Sequence, residues 1–172
     1  MNRRSIVTFS ALAAAGFAIV ASGEAIAQPK ALKDQLIGTW SLVAYDSIAA
    51  DGSKKAVFGA GPKGYLMLDA GGRYTYILAD MTRTKWKGTD RTQTTVEEYA
   101  AAAKGLVAQF GTWSADEATK TFVRKVEGAL NPGLPGVEQK LALALSGDEI
   151  TLTDSTSQVT GGKTEQRYRR AK

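Results

Sequence analysis

Tyrosine, arginine and carboxylate side chains carry whatever chemistry this chain has, because histidine and cysteine are both missing. Without imidazole or thiol there is no Ser-His-Asp triad, no thiolate nucleophile and no metal site built on nitrogen or sulfur. What remains is acid–base work by Tyr with Asp or Glu, or binding without catalysis. A tyrosine acid must be drawn toward neutrality by a desolvated cation. Arg124 is the candidate: it alternates with Phe122 and Val126 and so shares a strand face with apolar neighbours. An arginine so placed either anchors a carboxylate in a cavity or marks the solvent face. Glu127, Glu138 and Asp69 are the best acids, but no spacing makes two of them converge, and solvated surface charge is the simpler expectation for each. Gly59-Ala60-Gly61 lacks the strand–helix setting and the following Lys of a phosphate loop. These residues call for no metal and no cofactor.

Aromatic residues are the second group. Tyr65, Met67, Tyr74, Tyr76, Phe110, Trp113 and Phe122, with Arg124, form the candidate ligand-binding set. Tyrosine joins an apolar ring to a hydroxyl, which suits a pocket for an amphipathic guest. Alternation puts Tyr74 with Tyr76 and Tyr65 with Met67, without saying which face is interior. Facing outward, they are ordinary strand residues.

The elements that must position these groups are short strands. Leu36 to Tyr45 alternates with Trp40, Leu42 and Ala44 on one face and Val43 and Tyr45 on the other. Gly64–Asp69 and Arg73–Ala79 flank Gly71-Gly72 as a hairpin. Further strands are expected over 106–113, 121–127, 137–145, 149–153 and 164–170, separated by Gly, Pro, Asn and Asp turns. One helix is expected near 95–104, from the capping signatures Thr94-x-x-Glu97 and Thr95-x-x-Glu98 to the stop at Gly105. Residues 80–93 read as a polar basic loop carrying Arg83, Lys85, Lys87 and Arg91, either a solvated connection or a lid. So many short strands with one helix suit a barrel or a sandwich.

Residues 1–27 read as an export leader: Arg3 and Arg4 begin it, an apolar run follows, and Ala25-Ile26-Ala27 is a cleavage signature. Arg3-Arg4-Ser5-Ile6-Val7 also fits part of a twin-arginine signal, so Sec and twin-arginine export both stand. The domain is expected over 28–172, periplasmic or secreted, without stable membrane insertion once the leader is cleaved. The whole chain carries a formal charge of +5. That mild excess favours solubility and gives no nucleic-acid footprint.

Leu36-Ile37-Gly38-Thr39-Trp40-Ser41-Leu42-Val43, Asp51-Gly52, Phe58-Gly59, Pro62-Lys63-Gly64-Tyr65-Leu66-Met67 and Gly72-Arg73-Tyr74 together resemble the lipocalin-like domain family of bacterial exported proteins. A weaker block continues through Phe110–Trp113, Val126-Glu127, Asn131-Pro132, Gly136–Gln139 and Ile150–Thr153. The resemblance implies an all-β fold, a single antiparallel calycin-type β-barrel of about eight strands with one short helix. It also implies that Gly38 and Trp40 sit at the closed end, with an arginine of the last strand against the tryptophan: Arg169, with Arg167 second. Relatives often carry a histidine just before the Val-Glu pair, where this chain has Arg124 and Lys125. The function expected is binding of a small apolar or amphipathic, possibly anionic, molecule. The alternatives are a cyclase- or isomerase-type enzyme using Tyr and Glu/Asp, or an envelope protein whose barrel is filled.

Overall fold

The structure, a computed structural model, describes residues 31–172. The expected leader and its cleavage signature lie outside the described residues. The domain is built of β1 (Gly38–Ile48), β2 (Lys54–Ala56), β3 (Lys63–Leu68), β4 (Arg73–Ala79), β5 (Leu106–Asp116), β6 (Thr121–Ala129), β7 (Glu138–Ser146), β8 (Glu149–Asp154) and β9 (Thr164–Arg170), with α1 (Leu32–Leu36) before β1 and α2 (Val96–Lys104) between β4 and β5. All pairings are antiparallel, and β9 returns to β1. The result is a closed eight-stranded barrel, with β2 as an extra strand on the far half of β1. Closure removes the free sheet edges that would otherwise invite aggregation.

The two ends of the barrel differ because their connections differ. At the end where β1 begins, tight turns join β3 to β4, β5 to β6 and β7 to β8. Segment α1, which the strand pattern of the sequence had hidden, lies across this end. Its Leu32 and Leu36, one helical turn apart, are both buried. Five residues cannot hold a helix alone. Trp40 Nε1 donates to Leu36 O at 2.8 Å and Arg170 Nη2 to Gln35 O at 2.6 Å, so the barrel supplies what propensity does not. At the other end lie the longer connections, 49–62, 80–105, 130–137 and 155–163.

A bulge sets which side chains point inward. The register of β1 against β9 shifts between Leu42 and Ala44. The inserted residue reverses the alternation beyond it. Trp40, Leu42 and Tyr45 are therefore all buried while Val43 is exposed, where strict alternation had put Tyr45 on the face opposite Trp40. Ala108, Ala142 and Ala144 fall among outward positions of β5 and β7, so they leave no space inside.

Segment 80–105 is organised around α2. Thr95 Oγ1 accepts from Glu98 N, and Glu98 Oε2 accepts from Thr95 N, completing the capping box. Trp86 docks on the helix: its Nε1 donates to Glu98 O at 3.2 Å and its ring meets Tyr99 edge-on at 5.1 Å. The basic loop is thus tied down by its tryptophan, while α2 itself buries no residue.

Candidate functional site

Gly38, Trp40 and Arg170 close one end. Trp40 is fully buried, and the Arg170 guanidinium lies over its ring at 4.1 Å. Arg170 also donates to Ile37 O at 3.0 Å and pairs with Asp148 at 3.2 Å. The arginine at the tryptophan is therefore Arg170, not Arg169 or Arg167. Register explains the correction: Arg170 stands directly opposite Trp40 and shares its inward face. Arg169 and Arg167 fall on the outer face, where Arg169 pairs with Glu149 at 2.6 Å and Arg167 approaches Glu165 at 3.8 Å. Gly38 has φ +132°, and a Cβ there would stand 3.0 Å from Arg170 Nη1. Glycine is needed both for the backbone and for the guanidinium beside it.

Above this plug the interior is apolar, then polar. Trp113 stacks on Phe122 with ring centroids 5.8 Å apart, and Trp113 Nε1 donates to Asp69 O at 3.2 Å. Both aromatic rings belong to the packed closed half with Leu141, Leu143, Ile150 and Leu152. The middle of the barrel holds Tyr45, Tyr76, Tyr168, Gln109, Gln166 and Arg124, all buried. Arg124 is only 2% exposed and is the one buried charged side chain among the described residues. Its guanidinium lies 4.7 Å from the centre of the Tyr76 ring. Its Nε and Nη1 have no hydrogen-bond partner, nor do Tyr74 Oη and Gln109 Oε1. Tyr168 Oη donates to Gln166 Oε1 at 3.0 Å, and Tyr45 Oη lies 3.2 Å from Ser157 Oγ.

Tyr74, Tyr76, Trp113, Phe122 and Arg124 are thus interior residues, as a lining role requires. Tyr65, Met67 and Phe110 are not: they are 50%, 44% and 54% exposed on the outer face. Phe110 faces outward over Gly128, its cross-strand partner, and covers the bare backbone there. Gly64 lies inward-phase on β3, which sends Tyr65 out and Leu66 in. Tyr45, Gln109, Gln166 and Tyr168 were missed. The bulge concealed Tyr45; Gln109 shares a strand face with Val107 and Trp113, the kind of signal that singled out Arg124, while Gln166 and Tyr168 alternate within a polar strand that marks neither face as interior. The acids stay outside: Glu127 pairs with Arg73 at 2.9 Å, Glu138 with Lys140 at 3.5 Å, and Asp69 accepts from Arg73 N in the hairpin turn.

Electrostatics inside the barrel run against an acidic tyrosine. Burial pushes the Tyr76 and Tyr168 hydroxyls well above their ordinary value, and the nearby Arg124 charge offsets only part of that. Burial raises Tyr45 and Tyr74 as well. These hydroxyls remain protonated donors across the physiological range.

A groove of about 480 Å³ lies at the open end, lined by the end of α2 (Ala103, Lys104), the start of β5 (Leu106–Ala108), the β6–β7 loop (Leu130, Asn131, Pro132 and Leu134), and Gln158 and Val159. Its lining is largely apolar. A second hollow of about 420 Å³ shares Lys104 and Val159 with it and adds Phe58 and Arg83. Val107 connects rim to interior, because it is inward-phase on β5, one strand step above Gln109.

A family profile described as a lipocalin-like domain matches residues 37–171, nearly the whole described domain. Neither the curated proteins nor the solved structures gave a match.

Proposed function

The chain belongs to the lipocalin-like domain family, and from that premise we propose that it is an exported binding protein for a small apolar or amphipathic molecule. The observation that carries this reading is the asymmetry of the barrel. One end is sealed by α1, Trp40 and Arg170; the other bears the long connections and a largely apolar groove whose lining includes Val107, a residue that also packs against the core. Binding sites are mostly apolar hollows with a few convergent polar groups, and the mouth of a small barrel is a usual place for one. Export is supported by Arg3-Arg4, the apolar run and Ala25-Ile26-Ala27.

The enzymatic alternative asks for a tyrosine pulled toward neutrality beside a carboxylate. The interior tyrosines are instead raised, and Glu127, Glu138 and Asp69 lie on the surface or in turns. The filled-barrel alternative draws on the buried cluster that runs from Leu36 and Trp40 at the closed end through Tyr76 and Tyr168 to Phe58 and Leu78 toward the open end.

The test is native mass spectrometry and solvent extraction of protein purified from its own periplasm, with titration by the uncharged dye N-phenyl-1-naphthylamine. A co-purifying small molecule or saturable dye binding is expected. Neither one appearing would sink the binding role and leave the filled barrel.

A further inference from the structure

We infer that the guest carries an anionic head group and that Arg124, in the heart of the barrel, is its anchor; this rests on the binding role proposed above. An arginine cannot escape burial by losing its proton, as a lysine or a carboxyl can. A buried cation without a counter-charge is expensive, and buried charges are ordinarily paired. Here no carboxylate answers Arg124. Glu127, only three residues on along β6, points out to Arg73. What surrounds the guanidinium is neutral: Tyr76, which meets it with its ring and its hydroxyl, and Tyr74 and Tyr168, close enough to feel its charge. Two of its nitrogens, Nε and Nη1, have no acceptor. The site is therefore short of one negative charge and of acceptor oxygens, and an anionic head group supplies both.

A chain of neighbouring side chains leads from the groove to this cation. Val107 lies in the groove lining. The next inward residue of β5 is Gln109, roughly 7 Å deeper. Gln109 Nε2 donates to Gln139 Oε1 at 3.3 Å, and Gln139 is the cross-strand neighbour of Arg124. A head group on this path passes the two amides and meets the guanidinium, while its apolar body stays among Val107, Leu134 and Val159. Lys104 at the rim favours the approach of an anion, while the charge of Arg83 is offset by Asp80 beside it.

A matched dye pair tests this. N-phenyl-1-naphthylamine is neutral, and 1-anilinonaphthalene-8-sulfonate is the same skeleton with an anionic group. The wild type should bind the sulfonate about tenfold or more tighter, as one hydrogen-bonded charge contact provides. Decanoate should displace it better than decanol does. Arg124→Met should abolish that preference, keep binding of the neutral dye, and melt no lower than wild type, because an unpaired buried charge has been removed. Arg124→Lys should retain part of the preference. Equal binding of the two dyes by the wild type, or a preference unchanged in Arg124→Met and Arg124→Lys, overturns the anchor and leaves the binding role standing. Should Arg124→Met not fold, the dye comparison on wild type and Arg124→Lys decides alone. No saturable binding of either dye removes the anchor, and with it the binding role when no small molecule co-purifies.

Discussion

At the scale of single residues, Trp40 and Arg170 are the most constrained pair at the closed end. The indole is fully buried, donates to α1 and carries a guanidinium on its face. Trp40→Ala should cost about 3 to 5 kcal/mol, read from urea unfolding, because a large aromatic leaves a cavity that its neighbours cannot fill. Arg170→Lys should destabilise measurably, since an ammonium cannot stack on the ring and donate to Ile37 O and Gln35 O from one planar fork. Arg169→Lys should stay within about 0.5 kcal/mol of wild type, because its partner Glu149 is a surface carboxylate. A loss for Arg169→Lys as large as that for Arg170→Lys would contradict the assignment of Arg170 to the tryptophan.

At the scale of elements, α2 depends on its cap rather than on packing. No residue of the helix is buried, and Glu98 both closes the capping box and accepts from Lys87 N. Those backbone contacts hold the Glu98 carboxyl below its ordinary range. The folded value lies under the unfolded one, so this support is present at neutral pH and fades as acid protonates Glu98. Thr95→Ala should weaken the helix by about 1 kcal/mol. Hydrogen exchange should quicken over 96–104 and the Trp86 fluorescence should shift, while the main melting transition of the barrel stays put. A lowered barrel transition would mean that α2 is part of the cooperative core.

Across the whole molecule, the buried tyrosines set an alkaline limit. Tyr76 and Tyr168 titrate higher in the folded barrel than in the unfolded chain. For groups raised by folding, the associated stability is intact below the unfolded value and is lost as pH rises beyond it. Stability should therefore hold to about pH 10 and then fall by roughly 3 kcal/mol per pH unit from these two groups. Urea unfolding between pH 8 and 11 measures the slope, to which the raised Tyr45 and Tyr74 add, and Tyr76→Phe should lower it by about 1.4 kcal/mol per pH unit. A Tyr76→Phe curve parallel to wild type would mean that the ring is hydrated rather than sealed in.

The sequence alone settled what is local or compositional. The absence of His and Cys excludes whole classes of chemistry. Turn glycines punctuate the strands, a capping signature at Thr94 or Thr95 starts the helix, and the alternation of Phe122, Arg124 and Val126 puts the arginine on an apolar face. Period-2 alternation groups residues into two faces but carries no label for the interior. That choice is made by closure of β9 on β1, which turned Tyr65, Met67 and Phe110 outward and brought Arg170 rather than Arg169 to Trp40. The bulge after Leu42 brought Tyr45 inside against the alternation, and five residues became α1 only because Trp40 and Arg170 hold their carbonyls. The spacing of three already puts Glu127 on the face opposite Arg124; that Glu127 meets Arg73, and that no carboxylate of another strand answers the guanidinium, was decided by tertiary structure.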